Sequence, residues 1–91
     1  MKRKADIFLD NSSSSTCSVL VVVTNDRERL LYDLSNILIK NQIIITMAKI
    51  STNGDYVEDS FYIKNKQNLK ILKKSLINSL IREIKIKLEE Y

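Results

Sequence analysis

"QIIITMAKISTNGDYVEDSFYIK" (residues 42–64) decides the fold. Asn53-Gly54-Asp55 separates two runs rich in Ile, Thr, Val, Tyr and Phe. An Asn-Gly pair between such runs signals a β-hairpin, because a tight turn needs a positive φ that Gly adopts at no steric cost. The spacing predicts strands over Gln42–Thr52 and Tyr56–Lys64, joined at Asn53-Gly54 and both near the centre of a sheet. In the returning strand Val57, Asp59, Phe61 and Ile63 share one face, and Tyr56, Glu58, Ser60, Tyr62 and Lys64 the other. The phase breaks in the outgoing strand, where Ile43 and Ile45 have one parity and Ala48 and Ile50 the other. A β-bulge near Thr46-Met47 resets the face, since one extra residue shifts the alternation.

Upstream, Leu30, Leu31, Leu34, Ile37 and Leu38 fall on one face of a helix over Arg27–Lys40. Asn25 or Asp26 is placed to cap its start, Glu28 completes a capping box with Asn25, and Asn41 ends it. "CSVLVVVT" (Cys17–Thr24) is nearly all β-branched and apolar, the mark of a strand central in its sheet. "SSSST" is a loop, and "ADIFLDN" (Ala5–Asn11) alternates as an edge strand able to pair with Cys17–Thr24. Downstream, "NKQN" is a connection. Leu69, Leu72, Leu76, Leu80, Ile84 and Leu88 then recur at helical steps, which predicts a helix over Leu69–Glu90 with Ile77 and Ile81 beside the stripe. At 1.5 Å per residue it spans about 33 Å, longer than the ~20 Å of an ordinary strand.

The order ββαββα gives an α+β sandwich: a four-stranded antiparallel sheet with two helices on one face. It is a permuted form of the ferredoxin-like βαββαβ unit, with the first strand filling an edge. Leu30, Leu34, Leu38, Val21, Phe61, Leu76 and Leu80 are the expected core. The chain is 91 residues long, which suits one domain over 5–90 behind a basic tail, "MKRK", over 1–4. It contains no His, the commonest general base and metal ligand. Its single Cys, Cys17, permits neither an internal disulfide nor a Cys-cluster metal site and reads as a small buried hydrophobe. No catalytic residues, metal or cofactor are expected. The net charge is +4, but the positive charge is dispersed and the composition rich in Lys, Ile and Asn, so a nucleic-acid partner is disfavoured. No apolar run reaches the ~18 residues that cross a bilayer, and the start lacks the pattern of a signal peptide. A cytoplasmic location is the expectation.

The ordered residues Asp26, Arg27, Leu30 and Leu31, then Ala48, Lys49, Ile50 and Thr52, then Gly54, Val57, Asp59, Phe61 and Tyr62 carry a resemblance. They resemble an ACT domain, most closely the C-terminal ACT domain of bacterial PII uridylyltransferase/uridylyl-removing enzymes. The likeness covers about residues 7 to 84. It implies a non-catalytic regulatory module that pairs as a homodimer and binds an amino acid, glutamine by resemblance, at the strand-to-helix loop. The parent's catalytic domains do not fit in 91 residues, so the chain is at most the regulatory fragment of such an enzyme, or a detached remnant of it.

The ligand residues so implied are Asn25, Asp26, Arg27, Arg29 and Leu30. Free N–H groups at a helix start attract a carboxylate, and the Asp26 carboxylate meets an ammonium. Two departures point to weakened binding. Glu28-Arg29 stands where the family has Pro-Gly, adding a Cβ and a long side chain where backbone should approach the ligand. Ile44 stands where ACT domains often carry Asn. Against this, Arg29 is itself able to pair with a carboxylate. Plainer readings compete: Asp26 as a helix cap, and Asp59 as a structural residue bonded to backbone or to Lys49. The alternative functions are a purely structural dimerisation module, or a nucleic-acid-binding ferredoxin-like domain using Tyr56 and Tyr62. The second of these lacks an RNP1-type pattern.

Overall fold

The structure, a computed structural model, describes residues 5–90; the basic stretch 1–4 lies outside the described residues. The elements follow in the order β1 (Asp6–Asp10), β2 (Ser18–Asn25), α1 (Leu30–Lys40), β3 (Ile44–Asn53), β4 (Tyr56–Lys64) and α2 (Lys74–Leu88). All strand pairs are antiparallel, and the sheet order is β1-β2-β4-β3. The α+β sandwich is therefore as expected, with β1 at one edge beside β2. β3 forms the other edge, so the hairpin joins an edge strand to a central one rather than two central strands.

The register slips between Ile45 and Met47, where the bulge was expected. It brings Ala48 opposite Phe61 and Ile50 opposite Asp59. The hairpin turn itself is Gly54-Asp55, closed by the pair Asn53 and Tyr56. Gly54 has φ +65, and Asp55 is not among the residues with positive φ, as in a II′ turn with Gly at its first position.

One core holds the layers together. Leu20 and Val22 of β2, Val57, Phe61 and Ile63 of β4, Leu30, Leu34 and Leu38 of α1, and Leu80, Ile84 and Leu88 of α2 form a single buried cluster, so both helices lie on one sheet face. Val21 was expected inside but is only half-buried: its neighbours Leu20 and Val22 hold the helix side, and a strand turns alternate residues outward. Cys17 is buried, as expected.

Helix α1 ends at Asn41, whose side-chain amide donates to the Ile37 carbonyl at 2.7 Å. Ile43 N–H donates to Leu38 O and Gln42 N–H to Ile39 O, both at 2.9 Å. This is a Schellman ending, with Gln42 at φ 60 in the position usually given to Gly.

The largest departure is α2. It has 15 residues, not the 22 of the expected stretch, and begins at Lys74, so it spans about 22 Å. Residues 65–73 form a pinned loop instead. The Asn65 side chain accepts from Gln67 and Leu69 N–H, and Asn68 sits at φ 69. Ile71 then enters the core, and the expected Leu76 does not. Leu76, expected in the core, is 36% exposed because the helix axis places Leu80, Ile84 and Leu88 inward. No helix among the described residues is long and apolar enough to cross a membrane.

Candidate functional site

The site is built where β2 gives way to α1. Asn25 ends β2, paired opposite Tyr56. The Asp26 N–H donates to Asp55 O at 3.0 Å, which ties the loop to the hairpin tip. The helix starts only at Leu30, later than the expected Arg27, because the backbone of Asn25 and Asp26 is held by β4 and its turn. Neither residue occupies the cap position. The cap position is Arg29, at φ 64 and ψ 13, with no side-chain cap hydrogen bond. The position is left-handed, which costs a residue with a Cβ roughly 1–2 kcal/mol and would suit the Gly that the resemblance implies there. The Arg29 guanidinium lies 4.6 Å over the Tyr32 ring, a cation–π contact.

Arg27 turns the other way. Its guanidinium donates to Asp33 Oδ2 at 2.7 Å, in a pair with 15% and 9% side-chain exposure, and to Glu28 O at 3.0 Å. Leu30 belongs to the core. Of the five residues named from sequence, Asp26, Arg27, Arg29 and Leu30 line a small groove, and Asn25 lies behind it in the sheet. Within the groove, Arg27 is committed to Asp33.

The groove has a volume of about 260 Å³ and runs between the start of α1 and the uncovered helix-side surface of β3. Leu31 and Tyr32 form one wall; Ile50, Thr52, Val57 and Asp59 form the other. It is open because α1 and α2 do not reach across the edge strand, so Ile50 and Thr52 stay exposed. The sequence offered a signal for these: Ile50, Thr52, Val57 and Asp59 share the core-facing parity. Tyr32 gave none. Ile44 pairs with Lys64 at the opposite end of β3 and does not line the groove, so the loss of Asn there does not touch this site.

Asp59 is 1% exposed, and its Oδ1 has no hydrogen-bond partner. Burial raises its pKa above the ordinary 3.8; the Asp26 charge raises it further, while a Ser51 backbone hydrogen bond opposes both. The Ser51 bond fits the structural reading of Asp59, whereas Lys49 is engaged elsewhere, 5.5 Å over the Tyr62 ring. A raised carboxyl pKa makes the folded state bind more protons than the unfolded one above pH 3.8. The contribution of Asp59 to stability is then full below that pH and declines as pH rises through the raised value. Asp59→Asn removes the titration. Its thermal midpoint relative to wild type is expected to rise between pH 4 and pH 7; a pH-independent difference would contradict the shift.

A family model described as "ACR9-like, ACT-like domain" matches residues 6–91. With the ββαββα fold, this match over nearly the whole chain defines the class, and the chain belongs to the ACT-like domain family. It is 39% identical over 79 residues to a bifunctional uridylyltransferase/uridylyl-removing enzyme of Cereibacter sphaeroides, covering 87% of this chain and 8% of that protein. It is 42% identical over 65 residues to the enzyme of the same name in Azospirillum brasilense, covering 71% of this chain and 7% of the relative. It is 32% identical over 74 residues to ACT domain-containing protein ACR2 of Arabidopsis thaliana, covering 81% of this chain and 15% of that one. The chain therefore spans less than a sixth of the length of these relatives. No solved structure matches it. These residues form a small ACT-like domain, with none of the catalytic domains of such an enzyme.

Proposed function

We propose that this chain is a regulatory ACT domain that binds a free amino acid in the β2–α1 groove, glutamine by resemblance, with weakened affinity. One observation carries the reading. Two carboxylates, Asp26 and Asp59, line the same small groove as Arg29 and a helix start that no side chain caps. An amino acid presents the complement: an ammonium for the carboxylates, and a carboxylate for the cation and the helix N–H groups. The weakening follows from Arg29, which adds bulk at the left-handed position where a Gly would leave the backbone bare.

Calorimetric titration tests it. Glutamine is expected to bind with a dissociation constant on the order of 1 mM. Asp26→Ala weakens this about tenfold, the effect of losing one charge-assisted hydrogen bond, and Arg29→Gly changes it, since it removes both the bulk and the cation. Low-micromolar binding by the wild type would show that Glu28-Arg29 is no obstacle, and no response to Asp26→Ala would remove the site from this groove.

The same reading includes a homodimer. No described element covers the second sheet face, where Phe8 and Met47 are exposed beside half-buried Val21, Val23 and Tyr62. An isologous two-fold pair is the commonest closed arrangement that would bury them. Light scattering is expected to show twice the chain mass at micromolar concentration; a constant 10.6 kDa up to about a millimolar would exclude a standard-sized interface.

A further inference from the structure

The β2–α1 groove lies at the Asn25 end of β2. At the opposite end, where β2 begins, lies a wider groove of about 970 Å³. Its floor and walls come from the 65–73 loop, the first turn of α2, Ser15-Thr16 and Asn41-Gln42. The leucines that open the helical repeat read from the sequence are here: Leu69 is 62% exposed, Leu72 68% and Leu76 36%. Around them stand Lys64, Lys66, Lys70 and Lys73, and no Asp or Glu lines the groove.

This surface is held in place. Besides the Asn65 side chain, the Asn65 N–H donates to Leu69 O and the Asn68 N–H to Asn65 O. The Lys70 ammonium donates to Asn11 O at 2.7 Å. Ile71 is bonded on both sides, its N–H to Ser18 Oγ and its carbonyl from Asn11 Nδ2, each at 2.9 Å. Leu69 and Leu72 therefore flank a fixed anchor and cannot turn inward, because Ile71 already fills that place. A preorganised apolar surface loses little freedom when a partner covers it.

We propose that this groove docks an acidic polypeptide segment bearing bulky aliphatic side chains. The charge selects the partner's sign: a lysine rim without counter-charge matches carboxylates, steering encounter and fixing orientation. The leucines select its apolar component, as aliphatic anchors seat in an apolar groove. The side-chain amide of Gln42 and the hydroxyls of Ser15 and Thr16 offer partners for a peptide backbone. A nucleic acid fits less well, since no aromatic ring and no Arg lines the groove for stacking or bidentate contacts. The basic terminus 1–4 of the chain has the wrong sign to fill it.

The test is selection from a displayed library of random peptides about 12 residues long, followed by fluorescence anisotropy on the synthetic winners. Expected winners combine Asp or Glu with Leu, Ile, Met or Phe. Their dissociation constants should rise at least about tenfold in Leu69→Ser/Leu72→Ser and, separately, in Lys66→Glu/Lys73→Glu. All four side chains are exposed, so circular dichroism and the melting point should stay as in wild type. Any of these outcomes would overturn the proposal: no enrichment; winners that are acidic but lack aliphatic residues; binding unchanged in either variant; or preferential binding of polyuridylate or phosphatidylserine vesicles. A mass that halves in Leu69→Ser/Leu72→Ser would instead assign the groove to a second copy of this chain and overturn it equally.

Discussion

Ile71→Ala is expected to destabilise the domain by about 2–4 kcal/mol, the cost of truncating a buried aliphatic side chain. Leu72→Ala, one residue away, should stay within about 0.5 kcal/mol, as surface changes do. Ile71 is 1% exposed and belongs to the core cluster, whereas Leu72 points to solvent. Ser18 and Asn11 hold the Ile71 backbone in a closed set of hydrogen bonds. The Ile71 N–H donates to Ser18 Oγ, the Ser18 hydroxyl to Asn11 Oδ1, and Asn11 Nδ2 to Ile71 O. Ser18→Ala leaves a buried N–H without its acceptor and should cost about 1–3 kcal/mol. A domain of this size is stable by only roughly 5–14 kcal/mol, so the Ile71 effect is large. Urea denaturation decides the matter: a larger loss in Leu72→Ala than in Ile71→Ala would restore the longer helix read from the sequence.

The second large effect is expected at the Arg27–Asp33 pair. Arg27→Met removes the guanidinium that faces Asp33 Oδ2 at 2.7 Å and strands a mostly buried carboxylate. Breaking a buried pair from one side costs about 3–5 kcal/mol; the remaining exposure of Arg27 places this case near 3. The double change Arg27→Met/Asp33→Leu should recover most of the loss, because two apolar groups leave no charge behind. Equilibrium denaturation of the three variants gives the coupling. If the double variant is no more stable than Arg27→Met, the pair is not what holds the loop. The result also bears on the groove: Arg27 is committed to Asp33, while the Arg29 guanidinium lies over Tyr32.

The site was half legible. Asp26, Arg27, Arg29 and Leu30 were named from the loop, and all four line the groove. The opposite wall came from the sheet, and only pairing could bring it there. Thr52 and Asp59 reach Asp26 because the hairpin turn folds β3 and β4 back beside the end of β2. The expected caps failed for a related reason: a side-chain cap is a local preference of about 1 kcal/mol, and the backbone pairing of Asn25 with the β4 register overrides it.

By itself the sequence determined the six elements, their order, the bulge near Met47, the tight turn at Gly54 and the core face of β4. Each depends on an alternation or a φ requirement confined to a few neighbouring residues. Tertiary structure decided where Leu69–Lys73 would go, which face of β2 turns inward, and which residues take positive φ. Periodicity reports that Leu69, Leu72 and Leu76 are compatible with a helix; it does not report that Ile71 finds deeper burial and two side-chain partners for its backbone, Ser18 and Asn11, once β1 and β2 have paired. With a single Gly in the chain, the remaining left-handed positions fell to Arg29, Gln42 and Asn68, where loop closure between packed elements outweighs the local strain.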